Sequence, residues 1–199
     1  MTVRNHPHRQ FDAIVIGTSA GGVEALSRIL PALPANQTVA VLVVVHVPRE
    51  RPSLLTEIFS YKCAMTVDEA IDKAHIEPGH IYFAPADYHL LVDSGPQIAL
   101  SVDDAVQFSR PSIDVLFESA ADVFGKRLTG VLLTGGNEDG AAGLAYIARC
   151  GGMTVLQDPA EAAVAAMPEG ALKIMQPTHV LPLDEIAILL RNIVSTTVQ

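Results

Sequence analysis

Short runs of apolar, largely β-branched residues alternate along the chain with segments in which apolar residues recur at helical spacing. Residues 13–16, 39–45 and 130–133 are almost entirely apolar, as strands are when helices cover both faces of a sheet. Between them, residues 23–33 and 113–124 have the spacing of helices. This alternation is typical of βαβ units, so the chain is predicted to form an α/β fold with a mainly parallel sheet.

The pattern changes in the middle of the chain. Residues 80–84, 89–92 and 97–100 are three closely spaced apolar segments, separated by turn-forming Pro, Asp and Gly. They therefore predict an antiparallel hairpin or meander.

The C-terminal part of the chain returns to alternating elements. A helix is predicted over residues 141–149, with Gly151 and Gly152 as candidates for its C-cap. A strand over residues 153–157 follows. The last predicted helix covers about residues 184–194, and Asp184 is the candidate for its N-cap.

Length and composition indicate one folded domain. The chain has 199 residues, 49% of them hydrophobic, which suits one well-filled core and is too short for two ordinary domains. Residues 1–10 are polar and are predicted to be a flexible leader. Residues 11–195 are predicted to be the domain itself, and residues 196–199 a tail.

The charge balance and the lengths of the apolar runs argue against two classes of protein. With 22 Asp and Glu against 13 Lys and Arg, and no basic run, the chain is not expected to bind nucleic acid. No signal-peptide pattern is present, and the longest apolar run, residues 39–45, is far below the roughly 20 residues that span a bilayer. We expect a cytoplasmic protein without membrane insertion. Cys63 and Cys150 are expected to be buried, unpaired thiols.

The first predicted strand runs into a glycine-rich turn with Ser19 at its apex and then directly into a helix. The residues Gly17-Thr18-Ser19-Ala20-Gly21 match the G-x-S-x-G pattern of a nucleophilic serine. The alternative is a phosphate-binding turn, which occupies the same place in dinucleotide folds. Against that alternative, Ser19 stands where the middle glycine of G-x-G-x-x-G is needed, and no Lys-Ser/Thr pair completes a P-loop.

The end of the second strand favours the serine interpretation. A dinucleotide site needs an acidic residue there, about 20 residues after the glycines. Residues 39–45 instead lead into His46, whose neutral imidazole could serve as the base for a serine nucleophile. A histidine at this position is more often structural. Neighbouring parallel strands, however, bring their C-terminal ends into one crevice, which raises the expectation that His46 acts with Ser19.

A third polar residue follows the strand at 130–133. Asp139 lies in the glycine-rich segment Thr134 to Gly140 and could orient His46 and stabilise its charged form. A simpler alternative is that Asp139 caps the helix that follows. Glu138 is its close competitor as the orienting acid; Asp139 is preferred because its shorter side chain next to Gly140 has fewer rotamers to restrict.

No metal or cofactor is predicted. The histidines outside this group lack the spacing of a zinc site and are expected to be surface or hydrogen-bonded residues. Those in the body of the chain are His75, His80, His89 and His179. His6 and His8 belong to the predicted leader and are expected to be solvated.

In this order, the segments resemble the catalytic domain of the CheB-type chemotaxis receptor methylesterases over about residues 10–194. The resemblance is carried by the Ser19 turn, His46-Val47-Pro48, residues 77–85, 110–117 and 133–140, Gln157-Asp158 and Met167-Pro168. It implies Ser19 as nucleophile, His46 as base and Asp139 as orienting acid. It also implies a doubly wound sheet with helices on both faces and a short antiparallel hairpin.

Three departures from the family pattern are visible. Gly136-Asn137 stands where the family usually has Met-Gly, and Ala20 stands where threonine is common. The phosphoacceptor domain that usually precedes the catalytic domain is absent from the sequence. The domain is therefore expected to be open and constitutively competent, with any regulation coming from a protein in trans or from substrate availability.

The resemblance implies a serine hydrolase that cleaves γ-glutamyl methyl esters, and that could deamidate glutamines, on methyl-accepting receptors. Its expected partners are the cytoplasmic helices of such receptors. The N–H groups of Ala20 and Gly136 are the expected oxyanion donors. Arg110 could guide an acidic receptor segment or form an ordinary surface ion pair. Two rivals remain: a non-catalytic nucleotide- or phosphate-binding module, and a pseudo-enzyme that only docks on a receptor.

Overall fold

The computed structural model describes residues 12–35, 38–46 and 54–196, with side chains up to residue 193. The strands are β1 (Asp12–Thr18), β2 (Val39–Val45), β3 (Thr66–Glu69), β4 (His80–Phe83), β5 (His89–Asp93), β6 (Gln97–Ser101), β7 (Leu128–Leu132), β8 (Met153–Gln157) and β9 (His179–Leu181). The helices are α1 (Gly22–Ile29), α2 (Leu55–Ser60), α3 (Ile113–Phe124), α4 (Ala141–Arg149), α5 (Ala166–Ile174) and α6 (Leu183–Thr196). Short 3-10 turns follow α1 and α3, at Leu30–Ala32 and Gly125–Arg127.

One parallel sheet organises the described chain. Its strand order is β3-β4-β2-β1-β7-β8-β9, and β5 and β6 form a separate antiparallel pair. The chain builds one half of the sheet outward from β1 and then returns to the centre, where β7 pairs with the free side of β1. The predicted doubly wound parallel sheet with a short hairpin is therefore confirmed.

Hydrophobic cores lie on both faces of this sheet, which explains the unbroken apolar runs. Along β2, Ala40, Leu42 and Val44 pack into the core on the side of α3 and α4. The alternate residues of β2 pack into the core on the side of α1 and α6. Since successive side chains point to opposite faces, a strand covered on both faces has no polar position.

Several predicted elements have the observed bounds. They are β2, α3, α4 and β8. The predicted C-cap of α4 is also correct: Gly151 has a positive φ of 83°, and its N–H donates to the carbonyl of Ala148. The N–H of Gly152 donates to the carbonyl of Ile147, which completes a Schellman motif.

The interpretation of residues 80–84 as part of an antiparallel meander is wrong. These residues form β4, which pairs in parallel with β2 on one side and β3 on the other. Only β5 and β6 form the hairpin, and it packs on α3 through Leu90, Val92 and Ile98. Ile81 and Phe83 are buried, as expected for a strand inside the main sheet. The pairing of β4 with β2 and β3 depends on these strands and not on the turns next to β4.

Four elements have no signal in the sequence pattern. The edge strands β3 and β9 are only 4 and 3 residues long, and α2 has 6 residues. Helix α5 contains Pro168 in its first turn and Gly170 in its middle, which hide its periodicity.

The predicted N-cap of the last helix is also wrong. α6 begins at Leu183, so Asp184 lies in its first turn. Its carboxylate pairs with Arg28 of α1 at 2.7 Å. The N–H of Leu183 donates to Glu161 at 2.7 Å, so a side chain from another segment caps this helix. The acidic side chain of Asp184 still suits a helix N-terminus because of the helix dipole.

Parts of the predicted organisation lie outside the described residues. They are the leader with His6 and His8, residues 197–199 of the tail, and Val47-Pro48 after His46. Among the helices that are described, none has the length and apolar character needed to cross a bilayer. Cys63 and Cys150 are free thiols and only partly buried, not fully buried as expected.

Candidate active site

The candidate residues gather where the strand order reverses. β1 pairs with β2 on one side and β7 on the other, so the loops after these three strands meet at one edge of the sheet. Ser19 follows β1, His46 follows β2, and Thr134 to Gly140 follow β7. In open α/β sheets this edge forms a crevice that binds ligands.

Ser19 lies on a tight turn that the neighbouring loop holds in place. Its N–H donates to the carbonyl of Thr134 at 2.9 Å, and its own carbonyl accepts from the N–H of Gly22 at 2.9 Å. Gly21 is the N-cap of α1 and has φ of 80°, a conformation that favours glycine. The turn leaves the Ser19 side chain partly exposed at the start of α1.

His46 is fixed at both its backbone and its ring. Its N–H donates to the carbonyl of Thr18 at 3.1 Å, which places it beside the Ser19 turn. Its Nε2 lies 2.8 Å from Oδ2 of Asp139. The His46 side chain is 13% exposed, whereas Asp139 is fully buried. Among the described residues, no hydrogen bond joins Ser19 Oγ to the His46 ring. In free enzymes the hydrogen bonds between catalytic groups are often long or poorly aligned.

The carboxylate of Asp139 accepts four hydrogen bonds. Oδ2 accepts from the N–H of Ile113 at 2.7 Å in addition to bonding His46. Oδ1 accepts from the hydroxyl of Ser112 at 2.9 Å and from the N–H of Asp114 at 3.1 Å. Burial alone would raise the pKa of Asp139, but the hydrogen bonds from His46 and these backbone groups outweigh it and lower the pKa.

The side chain of Asp139 therefore caps the N-terminus of α3, and it does not cap α4, the helix that follows Asp139 in the chain. The role of capping α4 belongs to Asp114, whose Oδ1 accepts from the N–H groups of Gly140 at 2.9 Å and Gly143 at 2.7 Å. Each carboxylate thus caps the helix to which the other is attached. The reciprocal caps lock the start of α3 against the loop that carries Asp139.

Asp114 and Ser112 are site residues whose roles the sequence analysis missed. Both belong to the stretch 110–117 that carries the family resemblance, yet nothing in their spacing shows that they reach Asp139. The one local signal is Ser112 before an apolar helix, which predicts an N-cap. That cap is present, since its hydroxyl accepts from the N–H of Val115.

The surroundings of Asp114 disfavour its ionised carboxylate relative to the protonated form. Burial raises the pKa of Asp114, and the charge of Asp139 adds to this effect; together they outweigh the hydrogen bonds from Gly143 and Gly140 and bring the pKa to about 6. Near pH 7 the site therefore holds two neighbouring carboxylates, of which Asp139 ionises first.

We expect Asp114→Asn to gain stability relative to the wild type as the pH rises from about 4 to about 7. Between its usual pKa of 3.8 and the folded value of about 6, Asp114 loses its proton more readily in the unfolded chain, which costs the fold up to about 3 kcal/mol. Asparagine keeps an oxygen for the two glycine N–H groups but carries no charge. Thermal unfolding at several pH values measures the difference.

The control for that experiment is Glu24→Gln, which removes an exposed charge from α1. A difference between Asp114→Asn and wild type that stays constant with pH would show that burial of the Asp114 charge does not cost stability.

The structure places Glu138, the competitor for the acid role, away from His46. Its side chain is 62% exposed and pairs with Lys173 at 3.2 Å. Gly140, the residue after Asp139, has φ of 97°, and a Cβ there would lie 2.6 Å from both Ile113 and Leu132. This conformation turns Asp139 into the interior and leaves Glu138 at the surface.

The predicted oxyanion donors lie on either side of the crevice. Ala20 and Gly136 are both exposed, and neither N–H has an acceptor among the described residues. The space beside Gly136 is open, because a Cβ built there meets no atom within 4 Å. The N–H of Ser19 is unavailable, since Thr134 accepts it. The roles of Ala20 and Gly136 stay predictions.

The guanidinium of Arg110 makes four hydrogen bonds to other residues of the described chain. Its Nε and Nη2 donate to Oδ1 of Asp87 at 3.0 and 2.8 Å. Its Nη1 donates to the carbonyls of Val102 at 2.7 Å and Asp103 at 3.0 Å. The guanidinium thus braces the loop before α3; its predicted contact with substrate stays a prediction and would require some of these bonds to open.

Two of the other histidines, His89 and His80, have hydrogen-bond partners close to them. His89 is buried, accepts from the N–H of Ser112 on Nδ1 at 3.1 Å and donates from Nε2 to the carbonyl of Asp104 at 3.2 Å. His80 bonds Asp68 at 2.7 Å. In the described ranges, no cluster of three or more His, Cys, Asp or Glu side chains is arranged to hold a metal ion.

Comparison with known proteins gives one consistent result. The model of the family described as CheB methylesterase matches residues 14–190. The crystal structure of the Thermotoga maritima CheB methylesterase catalytic domain superposes with a TM-score of 0.88 and 30% identity, covering 92% of this chain and 99% of that one.

Two sequence relatives differ in length. A Leptospira interrogans protein with the provisional name protein-glutamate methylesterase/protein-glutamine glutaminase is 42% identical over 177 residues, covering 89% of this chain and 92% of that protein. The protein-glutamate methylesterase/protein-glutamine glutaminase of Chromohalobacter salexigens is 41% identical over 176 residues, covering 87% of this chain and 49% of that protein. The chain thus spans about half the length of the second relative.

Proposed function

The chain belongs to the CheB methylesterase family, and on that premise we propose that it is a serine hydrolase of protein γ-glutamyl methyl esters. The resemblance read from the sequence is confirmed at the level of family and fold. The observation that carries the proposed chemistry is the bond of 2.8 Å between His46 and the buried Asp139, beside the exposed Ser19 turn. The match over residues 14–190 also supports a single methylesterase domain over residues 11–195.

In the proposed reaction, Ser19 Oγ attacks the ester carbonyl while His46 accepts the hydroxyl proton. The negative oxygen of the tetrahedral intermediate is held by the N–H groups of Ala20 and Gly136, which have no acceptor within the described chain. His46 then protonates the leaving methoxide, and methanol departs. A water molecule, activated by His46, hydrolyses the acyl-enzyme and restores Ser19.

The hydrogen bond of the His46 ring supports one ring nitrogen as the base. Nε2 is held by Asp139, so Nδ1 is the nitrogen left to exchange a proton with Ser19. Asp139 stays ionised, because its pKa is lowered, and therefore stabilises the imidazolium that forms after proton transfer. The four donors around Asp139 prevent its carboxylate from turning away from the ring.

The substrates we propose are the cytoplasmic helices of methyl-accepting receptors, which places the reaction in the cytoplasm. The names of the two relatives, which combine methylesterase and glutaminase activity, support a protein substrate that carries an esterified glutamate or a glutamine. Hydrolysis of a glutamine side chain follows the same steps with ammonia as the leaving group. Both uncharged side chains end as glutamate.

The rival function, a nucleotide- or phosphate-binding module, gains no support. The turn at Gly17 to Gly22 has the right place in the fold, but β2 is followed by His46 where a ribose-binding acid is needed. The same His46 is bonded to a buried carboxylate, an arrangement that a phosphate site does not require.

The test is release of labelled methanol from a receptor fragment whose glutamates carry radiolabelled methyl esters. We expect methanol to be released from the fragment, because His46 can accept the proton of Ser19 as the serine attacks the ester. EDTA should leave the rate unchanged. Absence of methanol release, together with a rise in melting temperature on adding nucleotide, would support the binding module instead.

A further inference from the structure

A single aromatic side chain stands fully in solvent next to the candidate active site. Phe108 has 101% of its reference exposure, the highest among the large hydrophobic residues described. It lies in the loop between β6 and α3, the same loop that Arg110 braces. Single exposed apolar residues are common on protein surfaces, but the backbone conformation that holds Phe108 is uncommon.

The backbone around Phe108 is strained. Val106 and Ser109 exchange two hydrogen bonds of 3.1 and 2.8 Å, so Gln107 and Phe108 form a two-residue turn. Both turn residues have positive φ, 47° and 65°. Turns of this kind are normally built from Gly, Asn or Asp, and a bulky aromatic residue at positive φ is a true outlier. Persistence of this conformation requires support from the surroundings.

That support comes from the active site itself. The side chain of Gln107 donates to Oδ2 of Asp114 at 2.9 Å, the same carboxylate that caps α4. Ser109 Oγ accepts from the side chain of Asn137 at 3.3 Å, and Asn137 lies between Gly136 and Asp139. The turn is therefore bonded both to the start of α3 and to the loop after β7, the two segments that position Asp139. It presents Phe108 at the rim of the crevice.

We infer that Phe108 is a docking residue for the polypeptide that carries the esterified glutamate. The inference rests on the proposed function, since it assumes a protein substrate that enters this crevice. The turn that carries Phe108 is hydrogen-bonded to Asp114 and Asn137, which lie next to Asp139. These bonds keep Phe108 in a fixed position relative to the catalytic candidates. Fixed, exposed aromatic side chains contribute strongly to protein recognition because they bury large apolar area with few torsions to restrict.

The surroundings of Phe108 define the chemistry of the segment it contacts. Val102 and Val106 of the same loop are exposed by 64% and 37%. Asp103 and Asp104 are exposed beside them, while the nearby Arg110 is engaged with Asp87. This rim suits an apolar side chain flanked by neutral or basic residues. It disfavours an acidic segment, so it also favours the neutral ester over the glutamate product.

The experiment compares a protein substrate with a small reagent. For Phe108→Ala we expect kcat/KM on the methylated receptor fragment to fall at least about tenfold, through KM, as for a truncated docking residue. The rate at which a small fluorophosphonate labels Ser19 should stay at the wild-type level. Phe108→Leu should keep most of the activity on the fragment.

Two further variants separate docking from folding. Phe108→Gly fits the positive φ and should match Phe108→Ala in activity without lowering the melting temperature. Tyr61→Ala, which removes an aromatic side chain 86% exposed at the end of α2, should behave as wild type. Wild-type turnover of the fragment by Phe108→Ala, or an equal loss of fragment hydrolysis and probe labelling, would overturn the inference.

Two other outcomes are distinguishable from these. If the wild-type protein releases no methanol from the fragment, the proposed function fails and the docking role fails with it. If Phe108→Ala instead changes the mass of the protein in light scattering, Phe108 contacts a second copy of the chain, and the docking role is wrong even though the hydrolase assignment stands.

Discussion

Replacement of Ser19 by alanine is expected to abolish ester hydrolysis, with a loss of at least about 10⁴-fold in kcat. The serine oxygen is the only group proposed to form the covalent intermediate, and alanine has nothing to replace it. The side chain is partly exposed, and its hydroxyl makes no hydrogen bond within the described residues. The free energy of unfolding should therefore change by no more than about 0.5 kcal/mol.

The matched control is Ser27→Ala, which removes a serine hydroxyl from α1, the helix that the Ser19 turn begins. Ser27 accepts a hydrogen bond from Lys62 at 3.2 Å, and no hydrogen bond among the described residues joins its side chain to Ser19, His46 or Asp139. Methanol release by Ser27→Ala should match the wild type. Substantial turnover by Ser19→Ala would mean that another group is the nucleophile.

Asp139→Asn is expected to lower kcat by about 10⁴-fold, the loss that this change causes in a serine triad when the histidine tautomer becomes wrong. It should also cost about 1–3 kcal/mol of stability. Both oxygens of Asp139 accept backbone N–H groups, those of Ile113 and Asp114. The amide nitrogen of asparagine must therefore face a buried donor in either orientation.

Because stability falls as well, activity is to be measured well below the melting temperature of the variant and corrected for the folded fraction. Glu138→Gln is the control, since it removes the neighbouring carboxylate that pairs with Lys173 on the surface. We expect Glu138→Gln to retain activity. An inactive Glu138→Gln and an active Asp139→Asn would assign the orienting acid to Glu138.

The parts of the fold that depend on local pattern are predictable from the sequence. β2 consists of seven buried residues, and α3 has its Ser112 cap and an apolar stripe, so both have the predicted bounds. The position of β4 is different in kind. Its four residues lie close in sequence to the β5–β6 hairpin, yet they pair with β2 and β3. Such pairing is decided by non-local contacts that periodicity cannot report.

The same division applies to the site. Ser19, His46 and Asp139 each follow an apolar strand, so parallel pairing of these strands predicts that the three residues lie at the same edge of the sheet. The support of Asp139 is not predictable in this way, because it depends on how the start of α3 approaches the loop after β7. The reciprocal caps formed by Asp114 and Asp139 join residues 25 positions or more apart. The hydrogen bonds of Arg110 to Asp87 and Val102 also depend on how separate loops approach each other, which the sequence pattern does not report.

The most direct test of the account is to titrate the protein with a fluorophosphonate probe and follow adduct formation and methanol release on the same samples. Mass spectrometry of the digested protein identifies the labelled residue. We predict a single adduct on Ser19 and a loss of methanol release in proportion to the labelled fraction, reaching zero at full labelling. Full labelling of Ser19 with hydrolysis continuing, or hydrolysis lost with Ser19 unlabelled, would contradict the assignment of Ser19 as the nucleophile.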